Sequence, residues 1–244
     1  MIAAPETGRA GPGLGDRTLD DQALRDQALG NLTLGSVYSD VEAYYSARVA
    51  RHGATPRGVD WSCWATQNLR FVQLLKLCDF SGPFALNDIG CGYGALADYL
   101  AMRHATAAID YLGIDLSQAM IRHARLRLSG PDRRFVVAAS CPRVADYCVA
   151  SGVMNVSLGH PREPWEQFVA TILRDMRRCS RRGFSVNFKA AAGTTMGAAD
   201  EPAEGLYRTT PQRWIEFCEA ELGCSVETLD DYGMREFTLL VRCN

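Results

Sequence analysis

The sequence predicts an α/β protein built on a doubly wound, mostly parallel seven-stranded sheet, with an N-terminal helical lid and a C-terminal antiparallel strand pair. Three observations carry this expectation. From Phe84 onward, short apolar runs alternate with amphipathic helical stretches, which is the pattern of crossover units around a parallel sheet. A glycine-rich turn, Gly90-Cys91-Gly92-Tyr93-Gly94, sits between the first such run and the first such helix. The last two apolar runs, at 224–229 and 235–242, are near enough in sequence to pair with each other.

Residues 1–34 read as a flexible leader, because Gly8, Gly11, Pro12, Gly13 and Gly15 oppose regular structure, although 18–32 has the pattern of a short helix. Ser39 with Glu42 three residues later makes a capping box, and Val41, Tyr44, Tyr45 and Val49 follow at helical spacing until Gly53. A helix over 39–52 is therefore expected. After a loop with Pro56, Gly58 and Trp61, a second helix over 62–79 carries Leu69, Val72 and Leu75 on one stripe, and Gly82-Pro83 ends it. These helices, residues 35–82, are expected to form the lid, and 83–244 the sheet domain. Strands are placed at 84–89, 110–115, 134–139, 146–151 and 183–188, followed by the two closing runs. Helices fall at 95–104, at 117–129, opened by Ser117 and closed by Gly130-Pro131, and at 163–182, striped by Trp165, Phe168, Val169, Ile172 and Met176. Beyond a Gly/Ala-rich loop at 190–205, Thr210 is expected to cap a last helix with Pro211 at its first position.

Composition narrows the function. The 244 residues are 47% apolar and 22% charged, enough for a full core. A net charge of −2 opposes a nucleic-acid partner held by bulk phosphate neutralisation. Arg174, Arg177, Arg178, Arg181 and Arg182 cluster near a helix end, where cations offset the helix dipole. Nine cysteines without a C-x-x-C pair suggest neither a disulfide framework nor a thiolate metal site, so no metal is expected. Residues 1–16 lack the apolar segment of an export signal, and no apolar stretch is long enough for a bilayer, so a cytoplasmic protein with no membrane partner is expected.

The glycine turn is the strongest local signal. Glycines at 90, 92 and 94 remove the Cβ atoms that would keep a ligand off the backbone, and the helix that follows offers unpaired N–H groups and a positive dipole end. A dinucleotide site would carry G-x-G-x-x-G/A to cradle a pyrophosphate, whereas the spacing here is G-x-G-x-G. Asp88, just before the glycines, would repel a pyrophosphate but suits an ammonium group. The pattern favours S-adenosylmethionine over a dinucleotide. Asp115 ends the second strand, twenty-one residues after Gly94, where a carboxylate can accept hydrogen bonds from ribose hydroxyls.

With these residues in place, the chain over 36–244 resembles the class I S-adenosylmethionine-dependent methyltransferases, which are Rossmann-like. Asp88 to Gly94 matches the family's first motif and Asp115 its ribose-binding acid. The resemblance implies cofactor contacts from Asp88, Gly90, Cys91, Gly92, Gly94, Asp115 and Leu116, and from Ser140 and Ser151 after the third and fourth strands. An acid often follows the third strand in this family to hold the adenine amino group, but Ser140 and Cys141 stand there instead. The loop Ser151-Gly152-Val153-Met154-Asn155 lacks the Pro-Pro-aromatic signature of nucleic-acid amino methylases and the carboxylate of metal-dependent catechol-type relatives. Cys141-Pro142 is on the wrong strand for the cysteine nucleophile of cytosine methylases.

In such enzymes the N-terminal helices cover the cofactor, which brings in substrate-side candidates. Arg70 is expected to bind the methionine carboxylate, and Tyr44 and Trp61 to wall the methyl site, with Gln67 nearby. Asn155 is expected to orient an acceptor, and His160 to take its proton. Asn187, Tyr207 and Arg208 are expected to face the acceptor, the last two holding a carboxylate or phosphate. The expected function is methyl transfer to a small-molecule acceptor in biosynthesis, by in-line displacement at the sulfonium carbon. Two alternatives stand beside it. One is a cyclase like the azetidine-2-carboxylate synthases, in which the methionine amine displaces the thioether and methylthioadenosine leaves; the other is a non-catalytic binding module.

Overall fold

The computed structural model describes residues 16–128, 130–191 and 205–243, with side chains placed at residue 30 and, within those spans, from residue 34 onward. The chain runs α1 (Asp16–His52), a 3-10 turn (Pro56–Val59), α2 (Trp64–Leu75), β1 (Phe84–Ile89), α3 (Ala95–Arg103), β2 (Ile109–Asp115), α4 (Gln118–Leu128), β3 (Arg133–Val137), β4 (Ala145–Ala150), α5 (Arg162–Arg178), β5 (Ser180–Lys189), α6 (Pro211–Ala220), β6 (Cys224–Leu229) and β7 (Glu236–Cys243). The seven strands form one sheet in the order β3-β2-β1-β4-β5-β7-β6. The first five are parallel, and β7 enters antiparallel between β5 and β6. The order reverses between β1 and β4, and in open α/β sheets ligands bind in the crevice beyond the carboxyl ends of the strands at that switch.

The strands are apolar on both faces because both are covered. In β4, Cys148 and Ala150 point into one core layer with Trp165, Phe168, Leu173 and Met176 of α5, while Tyr147 and Val149 point into the other with Leu74 of α2 and Leu96 of α3. Each large side chain so buried contributes roughly 1.5–3 kcal/mol. Trp165 has a second role: its indole N–H donates to the Met154 carbonyl at 3.1 Å, which pins the loop after β4 onto α5.

Helix starts differ from expectation at the N-terminus. α1 is continuous from Asp16, so Ser39 lies in its interior and the capping box is not formed. Nothing in 16–38 forbids a helix; Gly30 and Gly35 each cost about 1 kcal/mol relative to Ala, and burial of Val37 and Val41 against the α5 layer offsets that. Of the leader, residues 1–15 lie outside the described residues and 16–34 belong to α1. At α5 the expected helix overran by four residues, because Ser180 already starts β5. Ser117 does cap α4, accepting the Met120 N–H at 3.1 Å, whereas Thr210 makes no side-chain cap at α6. The arginine cluster is spent inside the chain: Arg174 pairs with Glu221, Arg178 with Asp175, Arg181 with Asp146 and Arg182 with Asp79, and Arg177 donates to the Leu222 carbonyl.

Candidate active site

Two cavities lie side by side at the switch point. The first is a cleft with about 810 Å³ of empty space, its open mouth included. Gly90 and Gly92 form its floor, Asp115, Leu116 and Met120 one side, and Ser140 and Cys141 its far end. Ser151, Gly152 and Val153 close the near end, and Tyr38, Val41, Glu42 and Tyr45 of α1 lie across the top. The second cavity, about 740 Å³ on the same measure, is lined by Asp60, Arg70, Asn155, Val156, Lys189 and Leu206. Tyr45, Val59, Trp61 and Gly152 line both and form the wall between them.

The three glycines are required for different local reasons, and only two of them face the cleft. Gly90 and Gly92 have φ of +68° and +55°, a left-handed region that costs an L-residue about 1–2 kcal/mol. A Cβ on Gly90 would also fall 2.4 Å from a Val153 methyl. Gly94 does not line the cleft; it lets α3 start close to Leu128 and Phe135. Cys91 is buried beneath the turn, its N–H on the Ile114 carbonyl, and does not line the cleft either.

Asp115 sets the electrostatics of the cleft. One carboxylate oxygen accepts the Gly92 N–H and the other the Ser117 N–H, each at 2.8 Å, so the side chain braces the glycine turn against the start of α4. Burial pushes its pKa up to about 6 against those two donors, and Glu42 on α1 adds to the rise. A carboxylate has about four acceptor sites, and beyond these donors and the nearby Leu116 N–H it retains capacity for a hydroxyl in the cleft. Asp88 is placed otherwise than expected. It faces the opposite core layer, accepts the Tyr111 hydroxyl at 2.6 Å, and does not line the cleft. Burial pushes it up to about 7, the Tyr111 hydrogen bond opposing.

Around the second cavity the structure builds a connected charge cluster. Arg70 reaches from α2 to Glu236 at the start of β7, its Nε on one carboxylate oxygen at 2.6 Å and its Nη2 on the other at 2.5 Å, with both side chains buried. Arg70 is therefore committed to Glu236 and not to a cofactor carboxylate. Its guanidinium stacks on Trp61, 3.7 Å from a ring centroid, and holds the indole against Gly152, where a Cβ would lie 2.1 Å from the ring. Lys189 Nζ donates to Glu236 at 3.1 Å and Asn187 Nδ2 at 3.2 Å, while Asn187 Oδ1 accepts the Gly152 N–H. Asn187 is thus a buried support behind the wall that does not line either cavity.

Asn155 Oδ1 accepts the Lys189 backbone N–H at 2.8 Å, which fixes the amide's orientation, and its buried Nδ2 has no partner. Ser151 Oγ in the first cavity is likewise buried without one. Such orphans in a native fold call for an explanation, and a ligand supplies one.

Four expected site residues lie elsewhere. Tyr44 turns away, its hydroxyl donating to Asp60 at 2.8 Å, and Tyr45 takes the wall, since the inward face of α1 runs Val41, Tyr45, Val49 at steps of four. His160 pairs with Asp40 of α1 at 3.0 Å and lines neither cavity. Tyr207 is a core residue whose hydroxyl donates to Glu166 at 3.0 Å. Arg208 donates to the Ala190 carbonyl and also lies outside both cavities. Sequence reading missed Glu236, Lys189, Tyr45 and Glu42. Glu236 and Arg70 are 166 positions apart, so no spacing rule links them.

This arrangement has relatives. A family model described as a methyltransferase domain matches residues 87–177. A protein of Mycobacterium tuberculosis (strain ATCC 25618 / H37Rv) that bears the name of a candidate methyltransferase is 40% identical over 169 residues, 69% of this chain and 98% of that protein. The chain belongs to the methyltransferase family. It is an S-adenosylmethionine-dependent methyltransferase with the Rossmann-like fold. Solved structures share the fold at low identity. The magnesium protoporphyrin IX methyltransferase of Synechocystis PCC 6803 with bound S-adenosylhomocysteine superposes with a TM-score of 0.53 at 17% identity, over 74% of this chain and 83% of that one. Human N-acetylserotonin methyltransferase in complex with S-adenosylmethionine gives 0.54 at 16%, over 72% of this chain and 52% of that one. Among the described residues, no helix is long and apolar enough to cross a membrane.

Proposed function

We propose that this methyltransferase acts on a small molecule, with S-adenosylmethionine in the first cavity and the acceptor in the second. The observation that carries the reading is that the two cavities share the wall of Tyr45, Val59, Trp61 and Gly152. Cyclisation of the cofactor would need a closed site without an acceptor pocket, and a second cavity across the shared wall argues against it. The named acceptors of structural neighbours, a magnesium porphyrin and N-acetylserotonin, are small molecules, which supports the same reading.

The residues present fit the cofactor: Gly90 and Gly92 give a bare floor, Asp115 has free acceptor sites for a ribose, and Ser151 Oγ has no partner of its own. When bound, the cofactor supplies an electrophilic methyl group on a cationic sulfur. The indole of Trp61 and the phenol of Tyr45 present π-faces that favour a cation at the shared wall. Asn155 donates from Nδ2 to orient the acceptor, and α1 and the turn after it act as the lid that excludes water. An acceptor lone pair placed at the Trp61–Gly152 wall would take the methyl group, the C–S electron pair would return to sulfur, and the acceptor's proton would pass to solvent. Residues 35–82 are thereby the lid and 83–244 the cofactor-binding domain, although α1 extends the lid further toward the N-terminus.

Incubation with S-adenosylmethionine and fractionated small-molecule extract tests the reading by chromatography. S-adenosylhomocysteine that appears only when an acceptor fraction is present supports it. Methylthioadenosine formed catalytically without acceptor would replace it by cyclisation.

A further inference from the structure

Resting on the reading of the second cavity as the acceptor site, we propose that the acceptor carries a carboxylate, held between Lys189 Nζ and Asn155 Nδ2. The charge count of the cluster points to an anion. Arg70 and Lys189 bring two positive charges to Glu236, which supplies one negative charge. The only other charged residue lining the cavity among those described is Asp60, which is already paired with Arg48 at 2.6 Å. A net charge of about +1 is therefore left at a partly enclosed site, where an unpaired charge is expensive and an incoming anion relieves it.

The donors are arranged to suit this. Glu236 takes both its Arg70 bonds in the fork geometry, so Lys189 is the second and more loosely bound cation, with its side chain 24% exposed. Its ammonium has three donors, and one reaches Glu236. Asn155 is 1% exposed and lines the same cavity, and its orphaned Nδ2 cannot be relieved by an amide flip, because Oδ1 is needed by the Lys189 N–H. Apart from the Ser62 hydroxyl, the rest of the lining is apolar or aromatic, with Trp61, Tyr45, Val59, Gly152, Val156 and Leu206. The cavity thus fits an apolar body with one charged oxygen pair, the body lying toward the Trp61 wall where the methyl group arrives.

The test uses benzoate and benzamide, which have nearly the same shape and differ in charge, titrated into the full chain saturated with S-adenosylhomocysteine. Benzoate should bind about tenfold or more tightly than benzamide, since charge-assisted bonds are roughly twice as strong as neutral ones, and its binding should weaken with salt. Lys189→Met and, separately, Asn155→Asp, which keeps the acceptor for the Lys189 N–H, should each erase most of that preference while changing the affinity for S-adenosylhomocysteine by less than about threefold. Equal binding of the two probes, or no binding of either at millimolar concentration, would overturn the proposal. So would a loss of S-adenosylhomocysteine affinity in Lys189→Met matching the loss for benzoate, because the cations would then serve the cofactor's own carboxylate. Failure of the unaltered chain to bind S-adenosylhomocysteine would instead strike the underlying assignment of the first cavity.

Discussion

Replacing Asp115 by Ala separates a ligand-binding carboxylate from a brace. The structure gives Asp115 short hydrogen bonds from Gly92 and Ser117, places the Leu116 N–H beside it, and leaves part of its acceptor capacity at the cleft. Each charged hydrogen bond to a ribose hydroxyl is worth roughly 1.5–3 kcal/mol, but ionising this buried group offsets part of that, so a net loss of about 2–4 kcal/mol is expected. That corresponds to a dissociation constant about thirty- to a thousandfold higher. The two N–H groups left without an acceptor should also lower the stability of the ligand-free protein, by about 1–3 kcal/mol each if water does not reach them. Calorimetric titration with S-adenosylhomocysteine reads the first effect and urea unfolding the second. The acid must be ionised to accept both hydroxyls, so affinity in the unaltered protein should be flat above about pH 7 and fall as pH drops through about 6, by up to tenfold per pH unit. A mutant that unfolds more easily yet keeps its affinity within threefold would show that Asp115 only braces the turn.

Three further outcomes follow from the same geometry. Gly152→Ala would force a Cβ to within 2.1 Å of Trp61 at a φ of +79°, and the indole is clamped by the buried Arg70–Glu236 pair, so the melting temperature should fall and methyl transfer drop by about a hundredfold; wild-type turnover would mean the wall is soft. Asp88, pushed up to about 7 by burial, has a folded pKa above its unfolded value, so its contribution to ligand-free stability is full below about pH 4 and is lost as pH rises to about 7. The loss is at most about 4 kcal/mol, and Asp88→Asn should flatten that part of a urea-midpoint profile, leaving the smaller slope of Asp115; an unchanged slope would refute the assignment. Since His160 only ties its loop to Asp40, His160→Ala should leave the affinity for S-adenosylhomocysteine within about twofold and leave turnover intact, whereas a large loss of turnover would restore it as a base.

What was legible in the sequence is what local rules encode. β1 and β6 appear with their expected bounds, and the Gly90–Gly92 turn, Asp115 and Ser117 behave as strand-turn-helix chemistry requires. The start of α1 was misread because a capping box is only a preference, and burial of Val37 and Val41 outweighs it. The sequence points to Tyr44 and the structure to Tyr45, one position on, because the period shows a stripe without showing which edge of it meets the cleft. Arg70 lines the second cavity and not the cofactor cleft, and its partner Glu236 comes from the last strand, a long-range pair that decides what Arg70 is free to bind. Of the second cavity the sequence shows Trp61, Arg70 and Asn155 as candidates but not that they share a space with Lys189 and Leu206, since α1, the turn after it, α2, the loop after β4 and the end of β5 meet there only in the fold.

The most direct test of the account is a crystal structure of the full chain with S-adenosylhomocysteine. The ribose hydroxyls should lie on the Asp115 carboxylate, the adenine toward Ser140 and Cys141, and the sulfur at the Trp61–Gly152 wall with the Lys189 and Asn155 cavity still open beyond it. A ligand whose homocysteine carboxylate fills that second cavity and pairs with Lys189, or one bound away from Asp115, would contradict it.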